Sequence, residues 1–465
     1  MQAIKPSQHF MSILMLPWLA HGHVSPYLEL AKRLAEKNFH VYFCSTPANL
    51  VSIKTKIPNK YSDHENHSLG IIELVELHLP ELPDLPRHYH TTNGLPPHLM
   101  PTLKKAFDMS SPSFEKILDD LEPELLIYDF LQPWAPTLAS QRNIPAVEFL
   151  SCSASMTSFC LHWRSKRGVE FPFPTIHLKG YEVSGFNNLL ESSANDVKDK
   201  DRVRRCSEQS CTIVLVKSFS DVEDKYIDYL SVLLGKKIVP VGSLVDDGKD
   251  SNDLQDYNNV IKWLDSKEKS SVVFVSFGSE YFLSKDEMRE IAYGLELSGV
   301  SFIWVVRFPV GEKMNIEEAL PNGFLKRVER KGMIIEKWAP QREVLKSKSI
   351  GGFVSHCGWS SVMESMKFGV PIIAMPMHLD QPINARLVEE VGVGFEVERD
   401  ENGRIQSEEL AKAVRKVVLE KSGESVRNKA VEMGEKMRRR GDEEMEEVVK
   451  ELVQLCGKEN LQFNV

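Results

Sequence analysis

The sequence predicts an α/β chain of two doubly wound domains, each built on a parallel sheet. Three observations predict it. Short apolar runs alternate with amphipathic helical stretches along most of the chain, the 465 residues suffice for two ordinary domains, and one polar stretch, Asp246 to Asn259 (DDGKDSNDLQDYNN), divides the alternation. The expected organisation is a first domain over 1–245, a linker over 246–259, a second domain over 260–442 and a terminal helical segment over 443–465.

The elements follow in order. Phe10 to Leu16 reads as the first strand, and the loop Trp18 to Ser25 leads to an amphipathic helix over Pro26 to Lys37 with Leu28, Leu30, Ala31 and Leu34 inward. Phe39 to Cys44 is the second strand, with later ones at Ile71 to Val75, Leu125 to Tyr128, Ala146 to Phe149, Ile213 to Val216 and Ile238-Val239. The second domain opens near Ile261 to Trp263, and Val272 to Phe277 is its first strand. Met333 to Ile335 and Ile350 to Ser355 are short apolar runs of the buried parallel type. A helix runs from about Trp359 to Phe368, stopped by Gly369-Val370-Pro371, before the strand Pro371 to Pro376; the last helix spans roughly Glu443 to Leu455.

Composition excludes several function classes. The net charge of −9 comes from mixed signs and offers no basic field for nucleic acid. No apolar run approaches the ~20 residues of a membrane span. Ile13 to Leu16 is too short for a signal-peptide core and ends at Pro17 without a small-residue cleavage site. The seven cysteines are scattered in no metal spacing, so reduced thiols and a cytoplasmic location are expected, and the sequon Asn66-His67-Ser68 then carries no meaning. A monomer is expected. No GxGxxG with a downstream acid follows the first strand, which argues against a nicotinamide dehydrogenase. Asp199-Lys200-Asp201 fits a metal-binding DxD string, but it lies in a charged run from Asp196 to Arg205 that reads as a solvated face. The same reading applies to Arg438-Arg439-Arg440 among its many acids.

The chemistry concentrates between Trp338 and Gln381. Trp338 follows the Met333 to Ile335 run, at the strand end where open α/β sheets bind ligands, and its indole suits stacking on a planar base. Gln341 adds an amide near a ribose. His356 ends the next strand, and Ser360 and Ser361 stand in the first turn of the helix after it, where free N–H groups and positive partial charge bind phosphate. Glu364 lies four residues after Ser360 and three after Ser361, so all three share a helical face. Asp380-Gln381, an acid beside an amide, suits the vicinal hydroxyls of a hexose. Singly, the serines read equally well as N-caps, Glu364 as a solvated helix residue and His356 as a loop histidine. Their conjunction on one β-α-β unit points to a nucleotide sugar.

The first domain supplies candidate bases. His23, in Gly22-His23-Val24-Ser25-Pro26, lies between the first strand and its helix, at the cleft edge of the sheet. An imidazole there can take a proton from an attacking hydroxyl. Asp129 ends the strand Leu125 to Tyr128, and a carboxylate on the far imidazole nitrogen fixes the tautomer. His21 is a competing base. Read alone, His23 is also a helix-entry residue and Asp129 an N-cap.

The stretch Trp338 to Gln381, with its 44-residue length, opening WAPQ, central HCGW and closing DQ, resembles the donor box of plant family 1 UDP-sugar glycosyltransferases. That resemblance implies a GT-B fold, two Rossmann-like domains facing across a cleft, with a last helix crossing back to the first domain. It implies Trp338 on uracil, with Ala339 counted among the donor contacts. Gln341 and Glu364 then meet the ribose, His356, Ser361 and Ser279 (of VSFGS) the diphosphate, and Trp359, Asp380 and Gln381 the sugar. Ser360 stands where the family usually carries Asn, so its phosphate contact passes to a shorter hydroxyl. The closing Gln resembles glucose-using members. The GHxxP spacing resembles the family's catalytic His site and favours His23 over His21, and the Asp after LLIY resembles its partner. The implied reaction is a single inverting displacement with UDP-glucose as co-substrate and no metal.

HTTNGLPPHLMPTL, LLIYDFLQPWAP, VSFGSEYF and GWSSVMESMKFGVPIIAMPMHLDQPINARLVEEVGVG resemble the plant subgroup that extends sugars on triterpenoid, flavonoid or lignan glycosides. Acceptor contacts are expected from Tyr89 to Met100 and Ser151 to Ser192, where Phe159, Trp163, Phe171 and Phe173 suit a ring-system aglycone or else ordinary core and lid packing. Transfer to a bare aglycone, another UDP-sugar such as xylose or glucuronate, and a non-enzymatic sugar-nucleotide-binding module are the alternatives; His23 with Asp129 argues against the last.

Overall fold

The computed structural model describes residues 10–61, 70–245, 258–308, 315–336 and 338–457, with no side chain described at 442. The sequon at Asn66 and most of the expected linker, 246–257, lie outside them, as does the tail 458–465.

Seven parallel strands form the first sheet: β1 (Met11–Leu16), β2 (Phe39–Ser45), β3 (Ile72–Glu76), β4 (Leu125–Tyr128), β5 (Ala146–Leu150), and, after a small hairpin of β6 (Ser193–Ala194) and β7 (Val197–Lys198), β8 (Ile213–Val216) and β9 (Lys237–Pro240). Their order is β3-β2-β1-β4-β5-β8-β9. The second sheet holds β10 (Val272–Ser276), β11 (Ser301–Val305), β12 (Gly332–Ile335), β13 (Ile350–Ser355), β14 (Ile372–Ala374) and β15 (Gly394–Glu396), in the order β12-β11-β10-β13-β14-β15 and again all parallel. Helices cover both faces, so central strands such as β4, β5 and β10 are buried along their whole length. Continuous apolar runs, rather than alternation, are the pattern such strands carry.

Each sheet reverses its strand order once. In the first the reversal lies between β1 and β4, in the second between β10 and β13. Such switch points open a crevice at the carboxyl ends of the strands. Registers Leu16 with Tyr128, and Ser276 with Ser355, bring the segments after those strands level with one another.

Two helices differ from expectation. The first begins at His21, not Pro26, so the loop is shorter and His23 lies in the helix's first turn. Its N-cap, Ala20, makes no side-chain cap; the Ala20 carbonyl accepts from the N–H groups of His23 and Val24, both at 2.9 Å. With no capping residue to read, Pro26 was the visible start signal, although it sits inside the helix. The last helix is continuous from Glu424 to Leu455, so Glu443 falls mid-helix. At Gly434 an added Cβ would stand 3.0 Å from Gly369 N and from the Met366 and Lys367 carbonyls. The helix backbone therefore rests on the end of Trp359–Phe368 at that point. Its later residues Met445, Val448 and Leu452 join the core under β1 and β2, so the helix reaches the first sheet.

The two halves share one buried apolar cluster. Leu150, Val214 and Val216 of the first sheet pack in it with Trp359, Val362, Ile383 and Leu387 of the second half. Arg386, 2% exposed, crosses the same boundary, donating to both Glu182 oxygens at 2.7 and 2.8 Å and to Glu396.

Candidate active site

A cleft of about 1750 Å³ runs between the two sheets. On its first-domain wall, His23 Nδ1 lies 2.8 Å from Asp129 Oδ2. Asp129 is fully buried, and its carboxylate also accepts from Trp18 N–H at 3.0 Å and Phe130 N–H at 2.8 Å. Ser151 Oγ stands 3.0 Å from the same imidazole nitrogen, and the Phe130 ring packs on His23 at 5.2 Å. The carboxylate holds the proton on Nδ1 and leaves Nε2 with the lone pair a base requires. Burial pushes His23 toward the neutral form. The charge and hydrogen bond of Asp129, with the charges of Glu280 and Asp380, outweigh it and hold the imidazole above its ordinary value.

Among the described residues, His21 has no carboxylate partner. Burial, with the charges of Lys56 and Arg307, lowers it to about 4, and its ring meets the Trp338 indole edge-on at 5.4 Å. It is a much weaker base than His23, and it reaches the opposite domain.

The second-domain wall carries every residue predicted for the donor. Ser279, Trp338, Ala339, Gln341, His356, Trp359, Ser360, Ser361, Glu364, Asp380 and Gln381 all line this one cleft. Trp338 is 49% exposed, an unusual state for an indole at a strand end, with the Arg307 guanidinium 5.6 Å over its ring. Gln341 Nε2 donates to Ser361 Oγ at 3.0 Å and to Glu364 Oε2 at 2.8 Å, tying three predicted residues together.

The helix Trp359–Phe368 begins at the N-cap Gly358 without any side-chain cap. Ser360 and Ser361 are therefore not N-caps, and the first-turn N–H groups keep their capacity to bind an anion. His356, just before it, sits in a cradle of glycines. A Cβ at Gly278 (φ +74°) or at Gly358 would stand 2.6 Å from its Nε2. Burial, then His378, lowers His356 to about 4, and its Nδ1 is buried with no partner among the described residues. It is neutral rather than a cation, although a backbone hydrogen bond at Ser276 pulls the other way. Cys357 holds φ +64°, rare for a side-chain-bearing residue, and is fixed by N–H donation to Ser355 Oγ and by Asn384 Nδ2 donating to its carbonyl.

Beyond them, the Trp359 indole N–H donates to the Lys217 carbonyl at 2.6 Å. Asp380 accepts from Asn384 at 2.8 Å, and burial raises its carboxyl above the usual range. Gln381 Oε1 accepts from the N–H groups of Met377 and His378, so its NH₂ end is the part left for a ligand.

Two expectations take a different form. Phe159 and Trp163 pack tilted on each other, and Phe159, Trp163, Phe171 and Phe173 make edge-to-face contacts among themselves and with Phe186 and Tyr226 instead of lining the cleft. The apolar residues lining the first-domain side of the cleft include Phe130, Met156, Leu161, Phe186 and Leu189. The run Asp196 to Arg205 is not simply solvated: Asp199 and Arg202 are buried, Lys104 donates to Asp199, and Arg202 makes a forked pair with Asp108 at 2.7 and 2.8 Å. Sequence reasoning missed Ser151, Arg307 and Lys217. The last carries a readable signal, a lone lysine directly after a fully apolar strand.

Comparison with known proteins bears on the family and the fold. Residues 245–429 match the family model described as UDP-glucoronosyl and UDP-glucosyl transferase, and residues 9–245 match the glycosyltransferase N-terminal domain. The chain is 53% identical over 448 residues to mogroside IIIx synthase of Siraitia grosvenorii, covering 95% of this chain and 97% of the relative. It is 50% identical over 442 residues to the beta-D-glucosyl crocetin beta-1,6-glucosyltransferase of Gardenia jasminoides, covering 95% and 98%. The crystal structure of a Glycyrrhiza uralensis UGT complexed with glycyrrhetinic acid 3-O-monoglucuronide superposes with a TM-score of 0.82 at 24% identity, covering 96% of each chain. The GT-B fold expected from the sequence is borne out.

Proposed function

The chain belongs to the UDP-glucoronosyl and UDP-glucosyl transferase family, and from that membership we propose that it transfers glucose from UDP-glucose to a hydroxyl of a sugar already carried by a plant natural product. It is a UDP-glycosyltransferase. The observation that carries the chemical reading is His23 on buried Asp129, facing an uncapped helix N-terminus across one cleft. Relatives named for a mogroside and for a glucosyl crocetin support the glycoside acceptor. Gln381 beside Asp380 supports the glucose.

In the proposed mechanism Trp338 stacks on the uracil, and Gln341 and Glu364 hold the ribose hydroxyls. First-turn N–H groups, Ser361, Ser279 and neutral His356 hold the diphosphate. Asp380, the Gln381 NH₂ and the Trp359 backbone N–H orient the hexose. The acceptor hydroxyl gives its proton to His23 Nε2 as its oxygen attacks the anomeric carbon. The bond to the diphosphate oxygen breaks, UDP leaves, and the configuration inverts. Asp129 stabilises the imidazolium so formed. No metal is assigned a role.

A panel of aglycones and their glucosides, offered with several UDP-sugars and read by mass spectrometry, tests the reading. Glucosides are expected to gain one glucose from UDP-glucose. Conversion of bare aglycones but not glucosides overturns the acceptor assignment; preference for UDP-xylose or UDP-glucuronate overturns the donor assignment.

A further inference from the structure

Lys217 follows β8 in the first domain and is 2% exposed. Its ammonium makes one hydrogen bond among the described residues, to Ser360 Oγ at 2.8 Å across the domain boundary, and no ion pair among them. An ammonium carries three donors, so two are left without a protein acceptor. A buried cation in that state is costly unless an anion arrives. The negative groups whose charge it feels are Glu364, Glu29 and Asp380, none of them in ion-pair contact with it. Ser360 itself lines the cleft, in the first turn of the uncapped helix. A hydroxyl that accepts from an ammonium has its own proton free to donate on the other side. Next to it stand the neutral imidazole of His356, with its unpartnered Nδ1, and the free first-turn N–H groups. Among the described residues this corner collects donors and one buried positive charge, and no carboxylate is in ion-pair contact with that charge.

We propose that Lys217 is a positioning residue for the donor's diphosphate: its ammonium, behind Ser360, polarises that hydroxyl toward a phosphate oxygen and supplies the positive charge that His356 lacks. The proposal rests on the reading of the cleft as a UDP-sugar site. Because Lys217 belongs to the first domain and Ser360 to the second, the contact also makes diphosphate binding depend on the two domains being together. Its protonation follows. Burial lowers Lys217 to about 8, against the opposing pull of Glu364, Glu29 and Asp380. A bound diphosphate raises it, so binding takes up a proton once the pH passes that value. UDP affinity is then full below about pH 8 and falls as the pH rises above it.

Calorimetry of UDP and of uridine on the full chain tests this, below and above about pH 8 and in buffers of different ionisation enthalpy. Lys217→Met should weaken UDP roughly tenfold or more, leave uridine unchanged and abolish the proton uptake. A merely structural lysine would lower both ligands together and leave no protonation signature. Should Lys217→Met not fold, Ser360→Ala is expected to weaken UDP several-fold and spare uridine. Wild-type UDP affinity in either variant, equal loss of both ligands, or proton uptake persisting in Lys217→Met overturns the proposal. If the unaltered protein binds no UDP at all, the donor reading itself has failed.

Discussion

Asp129→Asn is the most informative single change. Asp129 is fully buried and accepts from Trp18 N–H at 3.0 Å, Phe130 N–H at 2.8 Å and His23 Nδ1 at 2.8 Å. Asparagine keeps the volume but has one acceptor oxygen. With that oxygen on Phe130 N–H, its NH₂ meets two donors, Trp18 N–H and His23 Nδ1–H. The imidazole escapes by moving its proton to Nε2, and so presents an N–H to the acceptor hydroxyl where a lone pair is required. With the opposite orientation, Phe130 N–H is stranded. A misdirected general base costs about 10²–10⁴ in kcat, or about 3–5 kcal/mol of transition-state stabilisation. The pH profile moves too. His23 acts as the neutral form, and Asp129 raises it, so in the unaltered protein kcat rises with pH through a limb above the ordinary histidine value of about 6.5. Without the carboxylate's charge, burial dominates and the limb of any residual activity moves to lower pH. Initial rates of glucose transfer across pH, with UDP affinity by calorimetry as the control for folding, measure both effects. A kcat within a few-fold of the unaltered protein, or a limb that stays in place, refutes the His23–Asp129 pair.

Four further outcomes are expected. His23→Ala should abolish transfer while UDP binding survives; near-normal turnover would return the role to His21 or another group. Gly278→Ala should raise the KM for the donor about tenfold, because its Cβ would stand 2.6 Å from His356 Nε2 and the +74° backbone angle adds about 1–2 kcal/mol of strain; an unchanged KM refutes the cradle. Trp338→Ala should weaken uridine and UDP alike by about 1–3 kcal/mol in calorimetry, and selective loss of UDP would take the indole off the base. Transfer should survive EDTA, since the proposed diphosphate contacts are protein donors, and strong loss on chelation would contradict that assignment.

Much of the second-domain site was legible because its signals are local. The helix Trp359–Phe368 is bounded by residues that announce its ends, and Ser360, Ser361 and Glu364 share a face by spacing alone. β4 and β8 were readable as fully apolar runs. What the sequence hid depends on contacts between distant segments. Ser151 reaches His23 across 128 positions and Lys217 reaches Ser360 across 143. The start of the first helix was hidden because Ala20 caps nothing with its side chain. The aromatics Phe159 to Phe173 were readable as either an acceptor wall or core and lid packing, because composition cannot say which side of a helix faces a cleft; the rings pack on one another, the second alternative.

Each switch point supplies one half of the chemistry, and neither half works alone. The first holds His23 on Asp129 and an apolar wall; the second holds the residues to which the proposed mechanism gives the uracil, ribose and phosphate contacts. A displacement requires the acceptor oxygen and the anomeric carbon to meet at about 3–3.5 Å, so the separation of the two sheets is itself a catalytic variable. The protein sets that separation with contacts that leave little freedom at the boundary. The shared apolar cluster packs buried residues of both halves together. Buried Arg386 is held by Glu182 on one side and Glu396 on the other, and pulling the domains apart would break its pair with Glu182. The 32-residue last helix rests on the second half at Gly434 and ends in the first-domain core. Lys217 and Ser360 lie on this same boundary, one residue from the Trp359 indole that donates to the Lys217 carbonyl. Domain spacing and the charge behind the diphosphate corner are therefore set by the same few residues.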